Sequence, residues 1–201
     1  MHSLPIMVNV AGRRVVVIGA GDVGRRKVHA LGLAGAHVRW VSLEPVHRVP
    51  EGVEHHPEPY HAGHVDGAML VFACTDDAEL NTRVAEDAHR IGAMVNVADV
   101  PELCDFYMPA TVRRGPVTVA VGTGGASPAL ARRLKRPLSD ALPSQVGEYA
   151  TAVADLRQRI KQDVHDPDRR RDLLMALASE DAYCRFCDGG REGLERLLRE
   201  L

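Results

Sequence analysis

The chain has 201 residues, 45% of them hydrophobic and 26% charged, with a formal net charge of −2. That length holds one ordinary core with a smaller appendage, and the composition excludes a disordered or fibrous chain. The slightly acidic balance gives no overall attraction to nucleic acid, and no run of about 18 apolar residues offers a membrane span.

Met1 to Val10 carries no basic leader followed by a long apolar stretch, so a cytoplasmic location is expected. Arg14 to Ile18 is a β-branched apolar run and reads as a buried strand. Gly19-Ala20-Gly21-Asp22-Val23-Gly24 follows it directly, and Val23 to Leu33 then reads as an amphipathic helix. Strand, glycine turn and helix together are the setting in which G-x-G-x-x-G binds a dinucleotide. Gly19 permits the tight turn, Gly21 lets a pyrophosphate approach the backbone, and Gly24 lets the helix pack on the strand. The helix N-terminus adds free N–H groups and a partial positive charge. The second strand, Val38 to Val41, ends at Ser42 rather than at the acidic residue that usually grips the ribose. Glu44, about 20 residues beyond Gly24, or the Ser42 hydroxyl would take the ribose, and Arg39 or Arg48 a 2′-phosphate. NAD is the expected cofactor, with NADP the alternative.

His55, His56, His61 and His64 lie around Pro57 and Pro59. Their spacing allows a metal, but the prolines favour a solvated connecting loop, and no metal ligand is assigned. Met69 to Ala73 is the next apolar strand, and Thr75-Asp76-Asp77 leads into a capped helix ending near Ile91. Met94 to Val97 follows, ending at Ala98-Asp99. Alternating strands and helices give a doubly wound parallel sheet, whose ligands gather at the carboxyl ends of strands. Gly19 to Gly24, Thr75 to Asp77 and Asp99 converge there. Asp99 is a candidate for chemistry, or a turn-former ahead of Pro101.

Val117 to Val121 is a further strand, and Ser127 with Pro128 marks a helix start behind Gly122-Thr123-Gly124-Gly125. Those glycines leave N–H groups exposed, a second expected anion site. Arg113 and Arg114, with Arg132, Arg133, Lys135 and Arg136, put six cations into 24 residues. They form either a seat for a carboxylate-rich substrate or a solvated face. Beyond Pro143 the pattern is helical: Gln145 to Val164, a break at Pro167, Arg169 to Leu177, then Glu192 to Leu201 after Asp188-Gly189-Gly190. Cys184 and Cys187 form a C-x-x-C in this helical tail with no second pair for zinc. With Cys74 and Cys104 they read as incidental reduced thiols, too few and too uneven for a disulfide framework.

Taken in order, Leu4-Pro5-Ile6, the G-A-G-D-V-G turn with Arg26-Lys27, Thr75-Asp76-Asp77, Asn96-Val97-Ala98-Asp99, Pro101-Glu102-Leu103-Cys104-Asp105-Phe106, Arg113-Arg114-Gly115-Pro116 and Thr123 to Ala131 carry a resemblance. Over about residues 1–150 the chain resembles the precorrin-2 dehydrogenase family, which includes the bifunctional dehydrogenase/ferrochelatases of sirohaem synthesis. The resemblance implies NAD-dependent oxidation of precorrin-2, a tetrapyrrole bearing acetates and propionates, to sirohydrochlorin. In some relatives ferrous iron is then inserted as a further substrate. It assigns catalysis to Asp99, as the base that accepts a proton while the nicotinamide takes a hydride. Asp22, Val23, Leu43 and Glu44 match the family's cofactor positions. Together with the residues read above, the cofactor side comprises Gly19, Gly21, Asp22, Val23, Gly24, Ser42, Leu43, Glu44 and Thr75. The substrate side comprises Thr123, Gly124, Ser127, Arg113 and Arg132, Thr123 standing where some bifunctional members have serine. The implied architecture is α/β: a Rossmann-like domain over 1–112, a homodimerisation segment over 113–143 and a small helical domain over 144–201. A module that senses NAD without catalysis would share the first hundred residues, but would need neither Asp99 nor the basic helix.

Overall fold

A computed structural model describes residues 3–46 and 48–201; Met1 and His2, the start of the segment read for a leader, lie outside the described residues. Five strands, β1 (Arg14–Ile18), β2 (His37–Val41), β3 (Val53–His56), β4 (Leu70–Ala73) and β5 (Met94–Val97), form one sheet in the order β3-β2-β1-β4-β5. Every neighbouring pair is parallel, with Val17 opposite Trp40 on one side and Phe72 on the other. Helices α1 (Asp22–Leu33) and α2 (Ala78–Arg90) make the crossovers. The doubly wound, Rossmann-like expectation is met.

A strand's side chains alternate between faces, and β1 divides accordingly. Val16 and Ile18 join Val71, Val84, Ala85 and Val95 on one side, while Val15 and Val17 join Val28, Leu31, Trp40 and Phe72 on the other. Both faces are dry, which is why these strands read as continuous apolar runs. Burying each such side chain contributes roughly 1.5–3 kcal/mol. The chain leaves β1 in one direction for β2 and β3 and in the other for β4 and β5, so the switch point lies between β1 and β4.

One expectation is corrected here. His55 and His56 do not lie in a solvated loop: they belong to the edge strand β3, where Trp40 pairs with His55 and Val41 with His56. Val-Glu-His-His offers one apolar residue and no alternation, so its strand character comes from pairing with β2.

The chain divides into two compact units, the break falling between Met108 and Pro109. In the second unit, β6 (Ala110–Arg114) and β7 (Val117–Val121) form an antiparallel hairpin, followed by α3 (Pro128–Ala141), α4 (Val146–Asp163), α5 (Pro167–Ala176) and α6 (Glu180–Glu200). A boundary after residue 112 would cut through β6, whose arginines hide its strand character. Pro167 ends one helix and opens the next, where the Asp166 carboxylate accepts the N–H groups of Asp168 and Arg169. α6 breaks at Gly189-Gly190 as expected, with Gly190 at φ 55°, but a further helical stretch capped by Ser179 precedes the break. Leu156, Ile160, Leu173, Leu177, Phe186 and Leu194 form this unit's own core. Among the described residues, no helix is long and apolar enough to cross a membrane.

Candidate functional site

The turn after β1 is built of backbone against backbone. A Cβ on Gly19 (φ 104°) would collide with the Cys74 carbonyl, and one on Gly24 with the Gly19 carbonyl. Around Gly21, by contrast, a Cβ would meet nothing within 4 Å. That position is open for a ligand to approach the main chain. Gly21 is the N-cap of α1 and lends no side-chain cap, so the helix's first N–H groups stay available to an anion. Trp40 Nε1 donates to the Gly19 carbonyl at 2.9 Å, and Arg25 Nε to the Ala20 carbonyl at 2.7 Å. These two side chains fix the loop. The residues present fit a dinucleotide pyrophosphate.

On the ribose side the structure redistributes the expected roles. Ser42 is buried and its hydroxyl donates to the Glu44 carbonyl at 3.0 Å, so it shapes the loop instead of offering a free group. Leu43 and Glu44 are exposed beyond the end of β2, which leaves Glu44 the free carboxylate. Arg39 is drawn away, donating to the His64 carbonyl at 2.8 Å, so it does not stand ready for a 2′-phosphate. Arg48 remains exposed.

After β4, Thr75 is tied into its own turn. Its hydroxyl donates to Asn81 Oδ1 at 2.7 Å, its N–H donates to the same oxygen at 3.2 Å, and its carbonyl accepts from Asn81 Nδ2. The Asp77 carboxylate caps α2 by accepting the Leu80 N–H. Thr75 therefore holds the Thr-Asp-Asp turn in shape. Buried Asn81 was missed from sequence, although an asparagine on the sheet side of an otherwise apolar face is a signal.

Asp99 is exposed beyond the end of β5 and, among the described residues, is the non-glycine with positive φ, at 59°. Aspartate is one of the few side chains that tolerate this conformation, which clusters at functional turns. Cys104, set aside from sequence as incidental, has its sulfur 3.2 Å from both the N and the O of Val97. All four thiols are free; Cys74 is buried, which pushes its pKa to about 11, and Cys184 and Cys187 are exposed.

The histidine group is more ordered than a solvated loop. Glu58 Oε1 lies 3.1 Å from His64 Nε2 and 3.4 Å from His56 Nδ1. Such a trio could hold a metal ion. However, the His61 N–H donates to His64 Nδ1 at 3.1 Å, so the neutral ring carries its proton on Nε2 and points it at Glu58. A metal would have to displace that arrangement, so the trio is read as a latch on the sheet edge. Burial holds His64 below the usual histidine range, and its histidine partners hold Glu58 below the usual carboxylate range.

In the second unit, the turn ahead of α3 engages some of its own N–H groups. The Ser127 N–H donates to Thr123 Oγ1, the Ala126 N–H to the Thr123 carbonyl and the Leu130 N–H to Ser127 Oγ, while Pro128 has no N–H. The N–H groups of Ala126, Ser127 and Leu130 are thereby taken up within the turn. Thr123 and Ser127 bind each other and Gly124 is exposed. Arg113 and Arg132 are exposed, Arg132 grouping with Lys135 and Arg136 along α3.

Comparison with known proteins agrees with this geometry. Residues 6–110 match the NAD(P)-binding family model, and residues 114–141 match the model of the sirohaem biosynthesis protein central segment. The siroheme synthase of Methylococcus capsulatus is 37% identical over 100% of this chain and 43% of its own length. That of Methylobacillus flagellatus is 35% identical over 98% of this chain and 44% of its own length, and that of Nitrosospira multiformis 41% identical over 85% and 38%. The chain thus spans less than half the length of these relatives. In fold it aligns with SirC, a precorrin-2 dehydrogenase, at TM-score 0.80 and 20% identity, covering 99% of this chain and 100% of that one. The chain belongs to the NAD(P)-binding family whose model spans residues 6–110, with the central segment of sirohaem biosynthesis proteins following it.

Proposed function

We propose that the chain catalyses the NAD-dependent oxidation of precorrin-2 to sirohydrochlorin. The observation that carries the reading is Asp99, an exposed carboxylate held in a left-handed turn at the end of β5, on the same sheet edge as the glycine turn that fits a dinucleotide. The similarity to siroheme synthases supports the choice of substrate class.

When bound, the nicotinamide supplies the hydride acceptor. The chain's own groups do the rest. The N–H groups opening α1, at Asp22, Val23 and Gly24, receive the pyrophosphate, and Gly21 keeps the approach open. Glu44 accepts the ribose hydroxyls, and the diversion of Arg39 to the His64 carbonyl favours NAD over NADP. Asp99 accepts the proton that leaves the substrate as the hydride departs, so each turnover yields one reduced cofactor and one proton. Arg113 and Arg132 offer guanidinium groups to the substrate's acetates and propionates, and the Thr123, Gly124 and Ser127 loop supplies neutral contacts. Ferrous iron is a proposed second substrate, for which Asp99 offers an oxygen ligand.

Pairing of two copies through the second unit belongs to the same proposal. Leu130, Leu134 and Leu138 repeat every four residues along α3 and are 41%, 43% and 42% exposed, an apolar stripe suited to a second copy. A reducing cytoplasm suits the four free thiols. The test is anaerobic turnover of freshly generated precorrin-2 with NAD, and separately with NADP and with ferrous iron. NADH and sirohydrochlorin rising together support the dehydrogenase, and iron-dependent sirohaem above the no-enzyme rate supports the chelatase. A folded chain that binds NAD and forms neither product contradicts the proposal in favour of a sensing module.

A further inference from the structure

Asp99 is the second residue of a tight reversal at the end of β5, and the conformation it adopts persists only where the surroundings hold it. The chain leaves the sheet at Val97, turns at Ala98-Asp99, makes one short helical turn over Pro101–Leu103 and returns at Cys104. The return is fastened to β5 at three levels. Asp105 exchanges bonds with Val95, its carboxylate accepting the Val95 N–H at 2.8 Å and its own N–H donating to the Val95 carbonyl at 2.9 Å. Buried Asn96 donates to the Phe106 carbonyl at 2.9 Å. Cys104 Sγ accepts the Val97 N–H at 3.2 Å and lies 3.2 Å from the Val97 carbonyl and 3.4 Å from the Val100 carbonyl, to one of which it donates. The sulfur therefore lies within hydrogen-bond reach of residues on either side of Ala98-Asp99, and with its proton on the Val100 carbonyl it joins them.

We infer that Cys104 is a positioning residue for the reaction: its thiol closes the turn from Val97 to Val100 and so holds the Asp99 carboxylate where it can take the substrate proton. The inference rests on the reading of Asp99 as proton acceptor. A thiol suits the task because it gives one weak proton and takes another from a single atom, spanning both sides of the turn. Burial raises its pKa, which keeps the proton available for donation at neutral pH.

The test is a double-mutant cycle on the full chain, with Cys104→Ala, Cys104→Ser, Asp99→Asn and the combination of Cys104→Ala with Asp99→Asn. Asparagine preserves the left-handed turn while removing the base. Cys104→Ala is expected to lower kcat about tenfold while KM for NAD stays within about twofold, since a misplaced group slows chemistry without touching cofactor binding. Cys104→Ser restores a hydroxyl to the same place and is expected to recover most of the loss. In the Asp99→Asn background, Cys104→Ala is expected to change the residual rate less than about twofold, because residues acting through one another are not additive. A Cys104→Ala enzyme at the parent rate, with Asp99→Asn silent, overturns this inference and leaves the Asp99 reading standing. An equal loss with and without Asp99 also overturns it, since the cysteine then acts on general packing. Parent-rate turnover by Asp99→Asn overturns the Asp99 reading and this inference together. Should the alanine variant not fold, the same cycle run with Cys104→Ser, where a smaller but still Asp99-dependent loss is expected, decides between these outcomes.

Discussion

Twice the chain passes from strand to helix through glycines, at Gly19 to Gly24 and at Gly122 to Ser127, and the two turns are put together in opposite ways. In the first, Gly19 and Gly24 are fixed by backbone contacts that leave no room for a Cβ, and α1 starts without a side-chain cap. In the second, Gly124 and Gly125 supply positive φ, a Cβ on Gly125 would meet open space, and the Thr123 and Ser127 hydroxyls accept the N–H groups of Ser127 and Leu130. One turn is closed in its packing and starts its helix without a side-chain cap; the other is open in its packing and capped by side-chain hydroxyls. Glycine content does not tell a phosphate cradle from a capped helix start; the fate of the first N–H groups does.

The comparison can be broken at several points. Gly24→Val forces a side chain into the Gly19 carbonyl and is expected to cost roughly 3 kcal/mol or more in unfolding experiments followed through Trp40. A loss under 1 kcal/mol would show that the first turn is not held by its packing. Gly21→Ala places its methyl in open space, so the melting temperature should hold while NAD affinity falls at least about tenfold by titration. Unchanged affinity would move the pyrophosphate elsewhere. Ser127→Ala removes only a cap, and about 1 kcal/mol of stability should go with it. NAD affinity should be untouched, and a loss of it would make the second turn a cofactor site after all.

Acid is expected to give a smaller effect, through the histidines at the edge of the parallel sheet. His55 and His64 are held below the histidine value of 6.5 by burial, so as the pH falls below 6.5 the unfolded chain takes up protons before the folded sheet does. Stability carried by these groups is complete above pH 6.5 and is lost below it. Trp40, the chain's one tryptophan, lies in that sheet and reports the loss, and His64→Gln should lessen its slope. An unchanged slope would remove His64 from the cause.

Much of the first unit was legible because parallel strands buried on both faces announce themselves as apolar runs, and because the glycine turn and the Asp77 and Ser127 caps are local signals. β3 and β6 were not legible: Val-Glu-His-His becomes a strand only through pairing with β2, and β6 ends in two arginines that mask its hairpin with β7. Candidate residues could be placed at the carboxyl ends of the strands, but the direction of each side chain could not be read. Ser42 and Thr75 turn their hydroxyls inward, and Arg39 is captured by a carbonyl 25 residues away. Cys104 shows no role in the Pro101–Phe106 sequence, because its partners on β5 are defined only once the loop has closed.

The proposed function turns on Asp99 as acceptor of the substrate proton. Anaerobic oxidation of precorrin-2 by Asp99→Asn, measured beside the parent chain with NAD binding followed through Trp40, tests it most directly. Unchanged NAD affinity and a rate at least about 100-fold lower are expected on removing a general base. Turnover at the parent rate would contradict it.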